Sequence, residues 1–108
     1  MAKLEQTLYG DIYAIARRIE DGIMGGSISA SLEDSSFFCQ GEAKCCVRVF
    51  ERYSYMGGNR VSLSVTLFQN GNGPVMLSAI TSGGSQALFW KINTVGEEAF
   101  LDKLREIL

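Results

Sequence analysis

The chain contains no histidine. It therefore lacks the side chain that most often acts as general base, proton carrier or metal ligand near neutral pH. Cysteine is scarce and odd in number: Cys39, Cys45 and Cys46. Two of these are adjacent, and a bond between neighbouring cysteines closes a strained ring. There is no C-x-x-C pair and no histidine to complete a zinc set, so neither a disulfide framework nor a metal site is expected. Reduced thiols in a cytoplasmic protein are the simplest account. No apolar stretch approaches the roughly 20 residues that cross a bilayer, and Met1 to Gln6 offers no apolar signal core. Neither membrane insertion nor secretion is expected.

Positive charge is not concentrated either. Ten lysines and arginines face twelve acids, a formal net charge of −2. The cations are scattered from Lys3 to Arg105, and no run of them could track a phosphate backbone. Nucleic acid is not an expected partner. The dinucleotide fingerprint G-x-G-x-x-G is missing, and no P-loop lysine directly follows the glycine-rich segment near residue 83. No cofactor is expected.

What is present fits one soluble α+β domain. A chain of 108 residues with 46% hydrophobic and 20% charged content can bury roughly 65% of its unfolded surface around one core. Lys3 to Tyr9 alternates, with Leu4, Gln6 and Leu8 on one side, which predicts a short strand. Asp11 is a good N-cap, and Ile12, Ile15, Ala16, Ile19 and Ile23 follow at helical spacing. Gly22 and Gly25-Gly26 are expected to end that helix after about three turns. Ser27 to Glu33 alternates again, with Ile28, Ala30 and Leu32 inward. Phe37-Phe38-Cys39 predicts a separate short strand or a loop anchor.

From Ala43 onward hairpins are predicted. Cys45, Val47 and Val49 share one face of the next strand; Lys44, Cys46, Arg48, Phe50 and Arg52 share the other. Met56 to Asn59 and Asn70 to Pro74 carry turn chemistry. Val61, Leu63, Val65 and Leu67 form the cleanest strand, and Val75, Leu77 and Ala79 continue in strand register. Ala87 to Ile92 predicts a last strand. Thr94 and Glu97 then read as a capping box opening a terminal helix with Phe100, Leu101, Leu104, Ile107 and Leu108 on one broad face.

The expected architecture is a two-layer sandwich: a twisted antiparallel sheet of about five or six strands with two helices on one face, in the order strand, helix, strands, helix. The outer face is expected to carry Phe50, Phe68, Met76 and Ile80 among serines, threonines and arginines. A half-apolar face of this kind calls for partial cover by a second copy.

Three groups of residues bear on function. Thr81-Ser82-Gly83-Gly84-Ser85-Gln86-Ala87 is small, hydroxyl-rich and flexible, and with Lys91 it forms the candidate ligand site; a glycine-rich turn can hold an anion on backbone N–H groups. Gly83 to Ala87 also approximates a nucleophile elbow, but the elbow needs a base and only Lys91 stands near. A plain turn satisfied by Ser82, Ser85 and Gln86 is the blander and favoured reading. Glu51 lies beside the Val47 and Val49 row, where it could act as acid or base, although pairing with Arg48, Arg52 or Arg60 is the more frequent fate of such a carboxylate. Trp90 reads as a core or interface anchor.

The segments Phe50 to Ser54, Gly57 to Leu63, Thr81 to Ala87 and Lys91 to Glu97 resemble a small family of uncharacterised bacterial proteins, found mostly in Firmicutes. The resemblance covers nearly the whole chain. It implies a compact, stand-alone bacterial protein and brings no activity, ligand or catalytic residue. The element order also looks like a shortened helix-grip domain, a likeness of fold only.

The leading expectation is a non-enzymatic cytoplasmic binding or assembly module that forms a homodimer through the exposed sheet face or an edge strand. The first rival is a small-molecule or anion binder, using a sheet–helix pocket or the Thr81–Gln86 loop. The second is an enzyme built on Ser85, Lys91 or Glu51, for which no complete catalytic set is present.

Overall fold

The computed structural model describes residues 1–26, 29–53, 60–83 and 90–108, with the backbone alone for 90–95. The order is β1 (Ala2–Leu8), α1 (Ile12–Gly26), β2 (Ser31–Gln40), β3 (Ala43–Tyr53), β4 (Arg60–Asn70), β5 (Val75–Gly83) and α2 (Trp90–Ile107). The strands make one five-stranded sheet in the order β1-β5-β4-β3-β2. Every pairing is antiparallel. β4, the strand with the cleanest alternation, is central, and β1 returns from the start of the chain to close the far edge.

Helix α1 forms where its periodicity predicts. Asp11 Oδ2 accepts the Ala14 N–H at 3.0 Å, an N-cap on the third helical residue. The buried residues are Ile12, Ile15, Ala16, Ile19 and Ile23, the whole predicted stripe. Each full burial of an isoleucine contributes about 1.5–3 kcal/mol. The helix runs on to Gly26, so Gly22 does not end it. A Cβ at Gly22 would sit 2.6 Å from Ile107 of α2. Gly22 is thus the point where the two helices approach, not a breaker.

Helix α2 begins at Trp90, four residues before the predicted Thr94 cap, so Trp90–Ile92 is helical rather than a last strand. The β-branched Ile92, Thr94 and Val95 disfavour helix by only a fraction of a kcal/mol each, too little to stop it from propagating. Glu97 is buried within the helix, and its Oε1 meets the amino group of Met1 at 2.8 Å instead of closing a capping box. Phe100, Leu101 and Leu104 are fully buried, and Ile107 and Leu108 pack against the same core. Helix α2 rests on β5, β4 and β1, while α1 lies toward β3, β4 and β2 and against α2.

Strand β2 corrects a further expectation. Ser31 to Gln40 is a single strand, interrupted by a register shift between Leu32 and Asp34. That bulge leaves Glu33 unpaired and returns the strand to its partner. The predicted strand start at Ser27 and Ile28 and the Met56–Asn59 turn lie outside the described residues; Tyr53 pairs with Arg60 in the β3–β4 ladder. The Asn70–Pro74 turn is present, with Gly71 at φ 61°. Its N–H bonds Glu42 O at 2.9 Å, which ties it to the β2–β3 turn. Positive φ at that position is the reason for glycine there.

The faces of β3 are the reverse of those predicted. Phe50 pairs with Leu63 and Cys46 with Leu67, so both share the face of the β4 core residues. Phe50 is completely buried and is not an interface residue. Arg48 and Arg52 alternate with these two and also turn toward the helices. Arg48 Nε donates to Glu20 Oε1 of α1 at 3.1 Å, and the Arg52 guanidinium lies 4.5 Å from the centre of the Phe100 ring of α2. Burial holds Arg52 below the ordinary arginine value. A carboxylate and an aromatic face make both arginines tolerable there. Val47 and Val49, expected inside, stand on the opposite, open face.

Candidate functional site

Residues directly opposite one another in an antiparallel ladder lie on the same face, so the registers lay out the open face as cross-strand rows. One row runs Phe38, Cys45, Phe68, Met76, Thr7 from β2 to β1. The next runs Ser36, Val47, Thr66, Ser78, Glu5, and the third Asp34, Val49, Ser64, Ile80, Lys3. A fourth carries Ser31, Glu51, Ser62 and Ser82. Apolar side chains thus fill most of one row and recur in the next two.

Phe68, Met76 and Ile80 are 44%, 52% and 41% exposed, as expected of outward residues, and Phe38 at 60% joins them. Sequence reasoning missed Phe38 because Phe37-Phe38-Cys39 read as an isolated anchor. Its signal was the alternation with Ser36 and Gln40. A shallow depression of about 350 Å³ lies between Thr66, Phe68, Met76 and Ser78. Contiguous exposed apolar surface of this kind marks interaction sites more often than scattered single residues do.

Charge lies at the edges of this face. Lys3 meets Glu5 at 3.4 Å on β1. Asp34 Oδ1 accepts the Ser35 N–H at 2.8 Å on β2. At one end Arg60 bonds Glu51 at 2.7 Å and approaches Glu33 at 3.6 Å. Glu51 is therefore the paired carboxylate of the favoured reading, with Arg60 its partner, and it stands on the open face rather than in the core.

The glycine-rich candidate site divides differently from the expectation. Thr81, Ser82 and Gly83 belong to β5 and not to a loop. Thr81 is completely buried on the helix side, where its hydroxyl donates to Ala2 O at 3.4 Å. Ser82 points the other way and shares a 2.7 Å hydrogen bond with the Ser62 hydroxyl. Alternation in a strand sends these two hydroxyls to opposite faces, so they do not build one anion cradle. Gly84, Ser85, Gln86 and the Lys91 side chain lie outside the described residues.

A second concave feature lies beneath α1, a cleft of about 240 Å³ between Tyr13, Glu20, Phe37, Cys46 and Arg48. Tyr13 stacks on Phe37 with ring centres 5.0 Å apart. Besides Glu20, Arg48 donates through Nη1 to Cys46 Sγ at 3.0 Å and to Val47 O at 3.3 Å. Its donors are thus largely engaged by the protein itself. Burial pushes the Cys46 thiol above its ordinary value of 9.0, against a smaller opposing pull from Arg48. A thiol held in its protonated form is a poor nucleophile. Cys45 points to the open face and Cys39 is exposed, so the three cysteines do not converge.

One buried polar residue was not singled out from sequence. Gln69 Oε1 accepts the Ile12 N–H at 3.1 Å, while its Nε2 donates to Gly10 O at 2.8 Å and Gly73 O at 2.9 Å. It joins the entry of α1 to the β4–β5 turn and is structural.

Fold and surface together define an α+β domain on a five-stranded antiparallel sheet, with a half-apolar open face as its most developed surface feature. Among the described residues no helix is long and apolar enough to cross a membrane. The chain belongs to DUF6054, a family of unknown function, whose model it matches over residues 1–108. No curated protein and no solved structure matches it.

Proposed function

We propose that this protein is a non-enzymatic assembly module that pairs with a second copy through the open face of its sheet. The observation that carries the reading is the row Phe38, Cys45, Phe68, Met76, three of whose members are large apolar side chains at least 44% exposed. Five strands about 4.8 Å apart, crossed by four rows about 7 Å apart, present roughly 600 Å². Two such faces would bury roughly 1,200 Å², the lower end of specific interfaces. The mixed charge at the edges favours a protein partner over a polyanion. Free thiols support a reducing, cytoplasmic setting.

Sedimentation equilibrium or light scattering after gel filtration tests this. The expected result is a dimer at tens of micromolar that becomes monomeric on Phe68→Ser. A wild-type monomer at that concentration overturns the reading.

A small-molecule or anion site is the second reading, favoured by the cleft beside Arg48. A thermal shift with a phosphate and metabolite panel, lost in Arg48→Met, would support it. An enzyme using Ser85, Lys91 or Glu51 has less in its favour, since Glu51 is engaged by Arg60. The strand, helix, four strands, helix order supports a two-layer arrangement with both helices on one face, akin to a shortened helix-grip fold.

A further inference from the structure

We infer that the two copies meet face to face about a two-fold axis parallel to β4, with Lys3 of each opposite Asp34 of the other. This arrangement rests on the open face being the interface. Its argument is symmetry applied to the rows.

Homodimers are overwhelmingly two-fold and isologous, and sheets packed in the aligned class, the one this arrangement adopts, keep their strands within about 30° of each other, the other class crossing them near about 90°. β4 is the middle strand of five. Full overlap of two such faces therefore leaves two choices of axis in the plane between them. An axis perpendicular to the strands keeps each strand over its own copy and exchanges the outer rows. Centred on the four rows it would set Phe38, Cys45, Phe68 and Met76 against Ser31, Glu51, Ser62 and Ser82, and centred on the second row it would set Glu5 against Glu5 and Asp34 against Phe38. Both cost affinity.

An axis along β4 does the reverse: rows stay level, while β1 faces β2 and β5 faces β3. Lys3 and Asp34 occupy the same row at opposite edges of the sheet. They therefore meet twice, once at each rim. In the same row Ile80 faces Val49, and in the Phe38 row Met76 faces Cys45. Phe68, in the central strand, faces its own copy across the axis. The apolar contacts are thus Phe68 on Phe68, Met76 on Cys45 and Ile80 on Val49, with hydroxyl-bearing side chains between them, and opposite charges meet at the rim. A crossing of about 30° displaces the edge strands by roughly 5 Å, a distance a lysine side chain spans. Among the described residues Lys3 is held by its exposed contact with Glu5 alone, a pair weak enough to let the side chain turn.

The experiment is a charge exchange on the full chain, with circular dichroism confirming that each variant is folded. Lys3→Glu and Asp34→Lys each convert two attractions into two repulsions, and each should weaken homodimerisation about tenfold at low salt. The double variant Lys3→Glu/Asp34→Lys should return to within about threefold of wild type. The two single variants, once mixed, should form a heterodimer in preference to either homodimer, because both of its rims are again complementary. A stable dimer indifferent to these changes, or a double variant weaker than both singles, overturns the axis and leaves the assembly reading standing. A monomeric wild type overturns both.

Discussion

Cys45 and Cys46 are neighbours in the chain and belong to two different environments. Cys46 faces the helices, pairs with Leu67 and is 2% exposed. Cys45 faces outward beside Phe68 and is partly exposed. The same division runs through the whole sheet. The covered face is closed by aliphatic side chains, Phe50, Phe100 and two arginines with assigned partners. The open face repeats much of that apolar character, with Phe38, Phe68, Met76 and Ile80, but among the described residues no element covers it. Similar residues thus do different work on the two sides: inside, they hold the domain together; outside, they are surface available to a partner.

The comparison can be broken most sharply with two phenylalanines. Phe50→Ala should cost about 3–5 kcal/mol of protomer stability, because the side chain is fully enclosed, whereas Phe68→Ala should cost under about 0.5 kcal/mol. Urea denaturation at protein concentrations low enough to keep the protomer free measures both. Equal losses would mean that Phe68 is part of the core after all.

Gln69→Leu should be the next largest loss, about 3 kcal/mol, because it orphans the Ile12 N–H and the Gly10 and Gly73 carbonyls. The same denaturation curves report it. A neutral result would show that water replaces the amide, and that the α1 entry is wetter than the buried glutamine implies.

The smallest effect concerns the two thiols. Cys46 has its folded value raised by burial above 9.0. Well below pH 9 both folded and unfolded states hold the proton, and its contribution is fully present. As pH rises further the unfolded chain ionises first, so stability falls until the folded value is passed. Cys46→Ala should remove that alkaline loss while costing about 1 kcal/mol at neutral pH. A thiol reagent should label Cys45 before Cys46 in the native monomer, and comparable labelling rates would contradict the burial.

Much of the fold was legible in the residues. The α1 stripe, the Asp11 cap, the β4 alternation, the Asn70–Pro74 turn and the C-terminal apolar face all carry strong local signals, since period and turn chemistry are properties of short segments. The errors fell where two readings were locally equal. Strand β3 has valines on one side and cysteine, phenylalanine and arginines on the other, so alternation alone does not say which side is inward. Gly22 reads as a breaker until Ile107 is seen against it. The candidate site was half legible: Phe68, Met76 and Ile80 were found as outward residues. Phe38 was missed and Phe50 was misplaced. Thr81 and Ser82 were grouped in one loop although the strand sends them to opposite faces.

By itself the sequence determined what this protein is made of: an α+β chain with amphipathic helices and hairpins, and without histidine. Tertiary structure decided which side of each strand is inside, because register is a relation between distant segments. Phe50 is core because Leu63 stands opposite it; Lys3 and Asp34 share a row only because three strands lie between them. No local pattern contains that information, and the proposed interface is built from it.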